Sequence, residues 1–446
     1  MKELKNKFSE IYNSPYKPLI RTSIIAIVLL LLLWIVPNII SKVKAFNVAR
    51  SPITGISVIN EKSYLPTDVI SPKDFDVSAL HKNGDTTKIN NSEIKISTTA
   101  IKPVGKTTPI TVTYDKYSCE IEVKNERKEV VSVECGKYKS SDVKAVLYTN
   151  GELCFEGKGD IKQYHIDKAP WYTMETDDTL IQSVTFEKGV KPKNLDYYFK
   201  DFKNLKYIYN IPKSIESATA MCLNCYNLVE GPDFSNCKKL LNLNSAFENC
   251  TNIKTPAILP PNLQLAASCY KSCINLETIG NVADCSKLEI TSDMYNGCES
   301  LITATFPKNV KSVGGMYANC INLEESLEVP NGVIYMDGTF ANDISLRTVP
   351  NIPASVKNIR NTFENCVKLE GTMQINCVTP NYTSFFEKAC YGNPLNLTGN
   401  SPMLDALAYT SESTNITVNG NAPNEEASKF NYNEYLKSLE TTESEE

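Results

Sequence analysis

Hydrophobic residues recur along the second half of the chain in regularly spaced columns. The first column is aromatic, with Cys222 in its one gap, and its members lie 22 to 25 residues apart: Phe199, Phe247, Tyr270, Tyr295, Tyr317, Phe340, Phe363 and Phe386. A mostly cysteine column lies three residues later, and a leucine and isoleucine column follows after three more. One such repeat cannot bury its own apolar face, so the pattern predicts a solenoid of stacked coils.

A further apolar column predicts one strand per coil, and hence a parallel sheet with rungs about 4.8 Å apart. Its members run from Phe186 through Phe306 to Leu397. Side chains alternate along a strand, so the residue before each member faces outward. This outward row also takes in Thr185, Ile258 and Asn396, and its polar members form the candidate binding face: Asn210, Asp233, Asn281, Thr305, Glu328, Asn351 and Gln374. A merely solvated sheet face would give the same pattern.

Residues 50–127 alternate short strand-like segments with turn signals, which is typical of a β-sandwich. The predicted strands share alternating apolar positions: Gly55–Ile59, Phe75–His81, Glu93–Ser97, Pro109–Tyr114 and Tyr117–Val123. With the solenoid, they predict a mainly β protein.

Residues 22–40 form a run of 19 residues without a charge. As a helix the run would extend about 28 Å, close to the ~30 Å core of a bilayer. We therefore expect a transmembrane helix that acts as a signal anchor. The basic residues before it, such as Lys17 and Arg21, favour an N-terminus in the cytoplasm. A signal peptide cleaved after Ala45 is the alternative, and both interpretations place residues 46–446 outside the cell.

The composition of the chain excludes several classes of function. The net charge of -5 gives no electrostatic footprint for nucleic acid. Only two histidines are present, and we find no nucleophile–base pair, phosphate-binding glycine loop or metal-ligand cluster. We therefore expect no enzymatic activity, no cofactor and no metal.

The 15 cysteines invite a metal or redox interpretation. The pairs Cys222–Cys225 and Cys269–Cys273 lie two rungs apart, near 10 Å by sheet spacing, so they cannot easily share one zinc ion. Small buried side chains that bond weakly to a loop backbone explain the column better. Disulfides between adjacent rungs stay geometrically possible.

Several segments resemble known families. TFENCVKLEGT (Thr362–Thr372), SAFENCTNI (Ser245–Ile253) and NIPASVKNI (Asn351–Ile359) resemble the BspA-like leucine-rich repeats of bacterial and protist surface proteins. Ile70–Asp85 and Thr108–Val123 resemble bacterial immunoglobulin-like domains, and Leu147–Tyr172 is similar to the hairpin cap of such arrays. In that cap Trp171 reads as an apolar plug or as a ligand-stacking residue. The repeat pattern departs at Asp343 and Ala389.

Together these features predict the following order: a cytoplasmic tail (1–21), the transmembrane helix (22–40), an immunoglobulin-like β-sandwich (50–127), a β cap (132–180), leucine-rich repeats (181–400), and a C-terminal cap with an acidic tail (401–446). The resemblance implies a non-enzymatic cell-surface binding protein: an adhesin that holds its solenoid off the membrane on the spacer domain. Its partner would be a protein or a glycan on an outside surface. The alternative is a structural envelope protein that binds the producer's own wall or surface components.

Overall fold

The computed structural model describes residues 26, 28–33, 35–37, 51–64, 68–101, 105–166, 168–176, 180–348 and 350–443. The chain divides into two compact units. One comprises residues 1–102 and 107–125, and the other comprises residues 103–106 and 126–446. Each unit contains its own hydrophobic core.

The predicted transmembrane helix over residues 22–40 falls largely outside the described residues. Residues 28–33 and 35–37 are helical, and their hydrophobic side chains are exposed. No helix of the described part of the chain is long and apolar enough to cross a membrane. The transmembrane helix in the predicted fold class is therefore wrong.

The first unit holds seven strands: β1 (Ile53–Ile59), β2 (Ser63–Tyr64), β3 (Asp76–His81), β4 (Thr86–Lys88), β5 (Lys95–Ile96), β6 (Thr107–Tyr114) and β7 (Tyr117–Asn125). They form two sheets, in the orders β1-β3-β4 and β2-β7-β6-β5. Alternate residues of β6, Thr108, Ile110 and Val112, point into a core with Tyr64 and Phe75. The strand prediction holds for this unit, and the immunoglobulin-like resemblance stays a prediction.

A five-stranded sheet opens the second unit: β8 (Glu129–Glu134), β9 (Val143–Tyr148), β10 (Glu152–Gly157), β11 (Ser183–Phe186) and β12 (Tyr207–Tyr209), in the order β12-β11-β10-β9-β8. The pairs β8–β9 and β9–β10 are antiparallel, whereas β10–β11 and β11–β12 are parallel. The hairpin therefore gives the first coil a strand edge on which to stack.

Trp171 closes the core of this cap. It lies in a 3-10 helix (Pro170–Thr173) and is fully buried. Its indole Nε1 donates to the carbonyl of Tyr198 at 2.7 Å, and its ring meets Phe155 edge-on at 5.0 Å. The plug interpretation is confirmed, because a fully buried ring has no face left for a ligand.

The repeat array contains fewer strand residues than the sequence predicts. Among the described residues between β12 and the last coils, only β13 (Thr303–Ala304) and β14 (Glu325–Ser326) form strands, and β15 (Gly371–Gln374), β16 (Leu395–Thr398) and β17 (Ile416–Val418) complete the array. Elsewhere single parallel bridges join the coils, the longest series being Asn194, Ser217, Asn242, Leu265, Ile290, Ser312, Tyr335 and Asn358. The prediction of a continuous parallel sheet along the array is therefore wrong. Prolines that directly follow the apolar column, such as Pro307 and Pro330, lack the backbone N–H that a longer strand would need.

The aromatic column forms a stack through the middle of the core. Ring centroids lie 5.3 Å apart between Phe247 and Tyr270, 5.7 Å between Tyr270 and Tyr295, and 5.6 Å between Tyr295 and Tyr317. The rings of Tyr270 and Tyr295 lie within 2° of parallel. Like residues therefore stack over like in successive coils, as the period predicts.

The cysteine column bonds each coil to the one before it. Each thiol donates to the carbonyl of the first-column residue in the preceding coil, as from Cys225 to Phe199 at 3.0 Å and from Cys298 to Tyr270 at 3.2 Å. The same bond recurs at Cys250, Cys273, Cys320 and Cys366. All 15 cysteines are free thiols, so the adjacent-rung disulfides left open by the sequence are absent.

Two helices follow the array, α1 (Leu404–Ala408) and α2 (Tyr432–Glu443). Helix α1 is buried along nearly its whole length and covers the last coils. Phe430, just before α2, packs against the same core. The remaining 3-10 helices are single turns: Pro72–Asp74, Asn91–Glu93, Ser140–Asp142, Val282–Asp284 and Ala427–Lys429.

Candidate binding surface

The seven candidate residues of the predicted outward row lie outside the core, whereas Thr185, at the start of the row, is buried. The row's apolar neighbours Phe234, Val282, Ile352 and Ile375 are buried. Four of the seven predicted residues, Asn210, Asp233, Glu328 and Gln374, are exposed, and the other three, Asn281, Thr305 and Asn351, are half-buried. Parallel bridges between Asp233 and Ile258 and between Ile352 and Ile375 keep neighbouring members of the row in register.

Hydrogen bonds distinguish the row residues that join neighbouring coils from those whose side chains can reach a partner. The Asn281 side chain accepts from the Leu259 N–H at 2.9 Å and donates to the Leu259 carbonyl at 3.1 Å, which substitutes for a backbone bridge. The Asn351 amide donates to Glu328 Oε1 at 3.1 Å, and its Oδ1 accepts from the Gln374 N–H at 2.9 Å. Asn281 and Asn351 therefore hold coils together, whereas Asp233 and Gln374 leave side-chain groups available to a partner.

An open groove lies at the first end of the row. It has a volume of about 1170 Å³ and is lined by residues of the cap and of the first three coils. Thr185 and Asn210, the first two members of the row, contribute to its wall. The exposed apolar part of its floor is Ile211, which is half-buried, whereas Phe186 and Val190 also line it but are each only 2% exposed. The sequence predicted the row and did not predict this cavity.

Lysines dominate the rim of the groove: Lys188, Lys191, Lys213 and Lys239, all exposed. Within the part of the chain that the structure describes, no carboxylate lies within ion-pair distance of these four ammonium groups. The groove carboxylates are engaged elsewhere. Glu187 Oε2 accepts from the Gly157 N–H at 3.1 Å, and Glu152 Oε2 accepts from Arg127 Nε at 3.0 Å. The rim therefore carries uncompensated positive charge, although the whole chain has a net charge of -5.

A buried ionic cluster supports the base of the groove. Arg127 contacts Glu152 and, at 3.2 Å, Glu156, while its guanidinium lies 3.8 Å from the centre of the Tyr148 ring. Burial lowers the pKa of Arg127, but the nearby Glu152, Tyr148, Cys154 and Glu156 together outweigh it and raise the pKa, so the guanidinium stays charged. The Oε1 atom of Glu152 and the hydroxyl of Thr185 are both buried without a hydrogen-bond partner among the described residues. These two atoms mark the least satisfied part of the cap.

The buried thiols are poor nucleophiles. Burial raises the pKa of Cys135 to about 12 and that of Cys237 to about 11. Burial likewise raises the pKa of Cys222, which lies beside Cys225 in the C-x-x-C segment. In the described residues no group of three or more His, Cys, Asp or Glu side chains is placed to hold a metal ion. The thiols thus serve the coil-to-coil bonds described above.

Comparison with known protein families finds a match to the repeat array. A model of the BspA type leucine-rich repeat region matches in six copies, over residues 177–277, 243–370 and 288–399. These matches together span residues 177–399, which is half of the 446-residue chain. The chain belongs to the BspA-type leucine-rich repeat family.

Two crystal structures of leucine-rich repeat proteins are similar to this BspA-type chain. One, from Bacteroides ovatus, is 16% identical over 65% of this chain and 76% of its own, with a TM-score of 0.38. The other, from Eubacterium ventriosum, is 14% identical over 58% of this chain and 95% of its own, with a TM-score of 0.27. A search of the curated proteins finds no match.

The rim lysines of this BspA-type array escaped the sequence interpretation. Lys188, Lys191 and Lys213 follow the predicted strands in the segments FEKGVKPK (Phe186–Lys193) and IPKS (Ile211–Ser214), and Lys239 follows the next column member, Phe234. Counting charge over the whole chain conceals them, because the net value is negative. Counting charge coil by coil would reveal the excess in the first coils, since equivalent positions of stacked coils lie side by side.

Proposed function

We propose that the solenoid is a non-enzymatic binding module, and that it acts as an adhesin towards a macromolecule on an outside surface. The partner contacts the exposed row residues Asp233, Glu328 and Gln374. Repeat arrays commonly bind through such extended surfaces, because stacked coils fix the spacing of many side chains at little entropic cost.

One observation carries this proposal. Exposed members of the row occupy equivalent positions of coils that are joined by parallel bridges, while the buried neighbours of the row anchor it to a continuous core. The side chains are thereby pre-organised along one face. Polar side chains of this kind can supply several directed hydrogen bonds to a protein or a glycan.

A binding screen tests the proposal. The full chain would be probed against immobilised extracellular-matrix proteins, cultured host cells and cell-wall glycan purified from the producing organism. Binding to a foreign matrix protein or cell supports an adhesin. Binding confined to the producer's own wall material would instead assign an envelope role and overturn the adhesin proposal.

Variants then locate the contact. The triple substitution Asp233→Ala, Glu328→Ala and Gln374→Ala is expected to weaken binding to the matrix protein or cell selected by the screen roughly ten-fold or more. A matched control carries Asp337→Ala, Glu299→Ala and Gln264→Ala, which removes the same residue types from exposed positions elsewhere in the coils. Equal binding by the two variants would remove the row from the interface.

This role requires residues 46–446 to lie outside the cytoplasm. Protease treatment of intact cells, read with an antibody against the segment after Asn431, tests that requirement, with lysed cells as the control. Loss of the signal from intact cells supports the proposal. Protection until lysis would contradict it.

A further inference from the structure

The lysine-rimmed groove combines two features of a docking site. Its floor offers the half-buried apolar side chain of Ile211, and its rim offers the charges of four lysines that have no ion-pair partner among the described residues: Lys188, Lys191, Lys213 and Lys239. An occupant must therefore carry both apolar side chains and negative charge. A simple polyanion would satisfy the rim and leave the apolar floor without a partner.

Helix α2 at the other end of the solenoid has the complementary composition. Tyr432, Tyr435, Leu436 and Leu439 follow the spacing that places residues on one helical face. Leu436 and Leu439 remain 39% and 46% exposed, so this face is left largely uncovered. Acidic residues outnumber the single lysine, Lys437, in this helix: Glu434, Glu440 and Glu443 lie in it, and Glu445 and Glu446 follow along the sequence.

The dimensions of helix and groove agree. A helix of 12 residues is about 18 Å long. The groove crosses β10, β11, β12 and the coil that carries Lys239, which is three gaps of about 4.8 Å, or roughly 14 Å. An amphipathic helix lying in an apolar groove is a common mode of peptide recognition, with anchors at the spacing seen here.

The helix does not reach the groove of its own chain. Phe430 fixes the start of α2 against the last coils. Beyond the groove, the bridge series runs from Asn242, near Lys239, to Asn358 in six rungs, or five gaps of about 4.8 Å, which separate the groove from the last coils by roughly 24 Å. The complementary groove must then come from another molecule.

We propose that helix α2 of one copy docks in the lysine-rimmed groove of a second copy. Leu436 and Leu439 cover the apolar floor, and Glu434 and Glu440 approach the rim lysines. Each copy presents one helix and one groove on different surfaces, so the contact is head-to-tail and can propagate into chains. This association is separate from partner binding by the row, since it does not involve Asp233, Glu328 or Gln374.

Sedimentation velocity of the full chain tests this interface. The groove variant carries Lys188→Glu, Lys191→Glu and Lys213→Glu, and the helix variant carries Leu436→Asp and Leu439→Asp. All five side chains are exposed, so circular dichroism is expected to show unchanged folding. A control with Lys287→Glu, Lys308→Glu and Lys368→Glu changes the charge equally at exposed lysines outside the groove.

The wild type and the control are expected to associate with rising concentration and to dissociate with added salt, as a charged rim requires. Each interface variant alone should bind itself roughly hundred-fold more weakly, a loss of about 2.7 kcal/mol. A mixture of the groove variant and the helix variant should form pairs and stop there, because it retains one intact helix and one intact groove per pair.

Three outcomes would overturn the proposal: a wild type that stays monomeric, interface variants that associate as the wild type does, or a mixture that forms no pairs. The charge-free run 22–40 is common to every variant, so association through it would not distinguish them. Heparin serves as a further probe. If it binds the rim lysines of a chain that stays monomeric, the groove belongs to a sulfated glycan and not to a second copy.

Discussion

The backbone N–H of Cys320 donates to Oδ1 of Asp343 at 2.8 Å, in the one coil where aspartate replaces the repeated cysteine. Asp343 is fully buried, and its Oδ2 has no hydrogen-bond partner among the described residues. Burial raises the pKa of the Asp343 carboxyl well above its ordinary value of 3.8, although the Cys320 N–H lowers it in part. The folded chain therefore holds a proton here that the unfolded chain has already released.

That relationship predicts a pH dependence of stability. Between the unfolded and folded pKa values of Asp343, the native state binds the extra proton, so the free energy of unfolding falls as pH rises. The fall is about 1.4 kcal/mol for each unit of separation between the two values. We expect urea unfolding of the wild type to show this decline and that of Asp343→Asn to lack it. Asp337→Asn, at an exposed carboxyl, is the control.

Restoring the repeated residue should stabilise the array. At neutral pH, Asp343→Cys is expected to raise the free energy of unfolding by at least about 1 kcal/mol, because it removes a buried carboxyl with an unsatisfied oxygen. The Cys320 N–H loses no essential partner, since it also donates to the Tyr317 carbonyl at 3.1 Å. Thermal unfolding measures the change, and a lower midpoint for this variant would contradict the assignment of strain to Asp343.

The thiol network predicts low chemical reactivity in the native state. Of the 15 cysteines only Cys119 is not fully buried. Burial also raises the pKa of array thiols such as Cys269 and Cys298, which keeps these two protonated near neutral pH. Since thiolate is the reactive form, we expect an aromatic disulfide reagent to modify at most one thiol per native chain and 15 after denaturation. Cys119→Ser identifies the reactive site, and rapid modification of several thiols would mean that the coils open.

The aromatic stack predicts that substitutions of Tyr295 lower the stability of the chain by graded amounts. Its hydroxyl donates to the Ile279 carbonyl at 2.8 Å, and its ring stacks on Tyr270 and Tyr317. Tyr295→Phe keeps the stack and should lower the free energy of unfolding by about 1 kcal/mol. Tyr295→Ala should cost about 3–5 kcal/mol, because it leaves a cavity inside the column. Tyr335, which is 51% exposed, provides the control through Tyr335→Phe, and equal effects at the two positions would contradict the stack's role.

The buried position of Trp171 predicts that its removal lets the cap and the first coils open locally. Trp171→Ala is expected to cost about 3–5 kcal/mol, because a fully buried indole and its bond to the Tyr198 carbonyl are lost. Terminal coils contact a neighbour on one side only, so the first coils should become susceptible to limited proteolysis before the rest of the array. Tyr138→Ala, at an 85% exposed side chain, should leave the cleavage pattern unchanged.

The periodic residues explain how much of the fold the sequence could predict. Phe247, Tyr270 and Tyr295 occupy equivalent positions because one spacing governs both the sequence and the stacked coils. The strands were overestimated for a local reason. Prolines directly follow the predicted strand position in several coils, as in Phe306-Pro307, Val329-Pro330 and Ile352-Pro353, and proline lacks the backbone N–H that a sheet ladder needs.

The row and the groove differ in how far the sequence could foresee them. Alternation along a strand was enough to place Asp233 and Gln374 on the outside, since it needs only local register. The groove joins Glu152, Lys188 and Lys239, which lie far apart in the chain and meet only after the cap has paired with the first coils. No single segment of the sequence predicts the groove, because the groove forms only where the cap hairpin pairs with the edge of the first coil.

Hydrogen–deuterium exchange of the full chain tests the central claim most directly, with and without the matrix protein or cell-surface fraction that the binding screen selects. We predict that peptides containing Asp233, Glu328 and Gln374 gain protection in the complex. Peptides containing Gln264, Glu299 and Asp337 should exchange as in the free chain. Protection confined to these latter peptides would contradict the account and place the binding surface on another face of the solenoid.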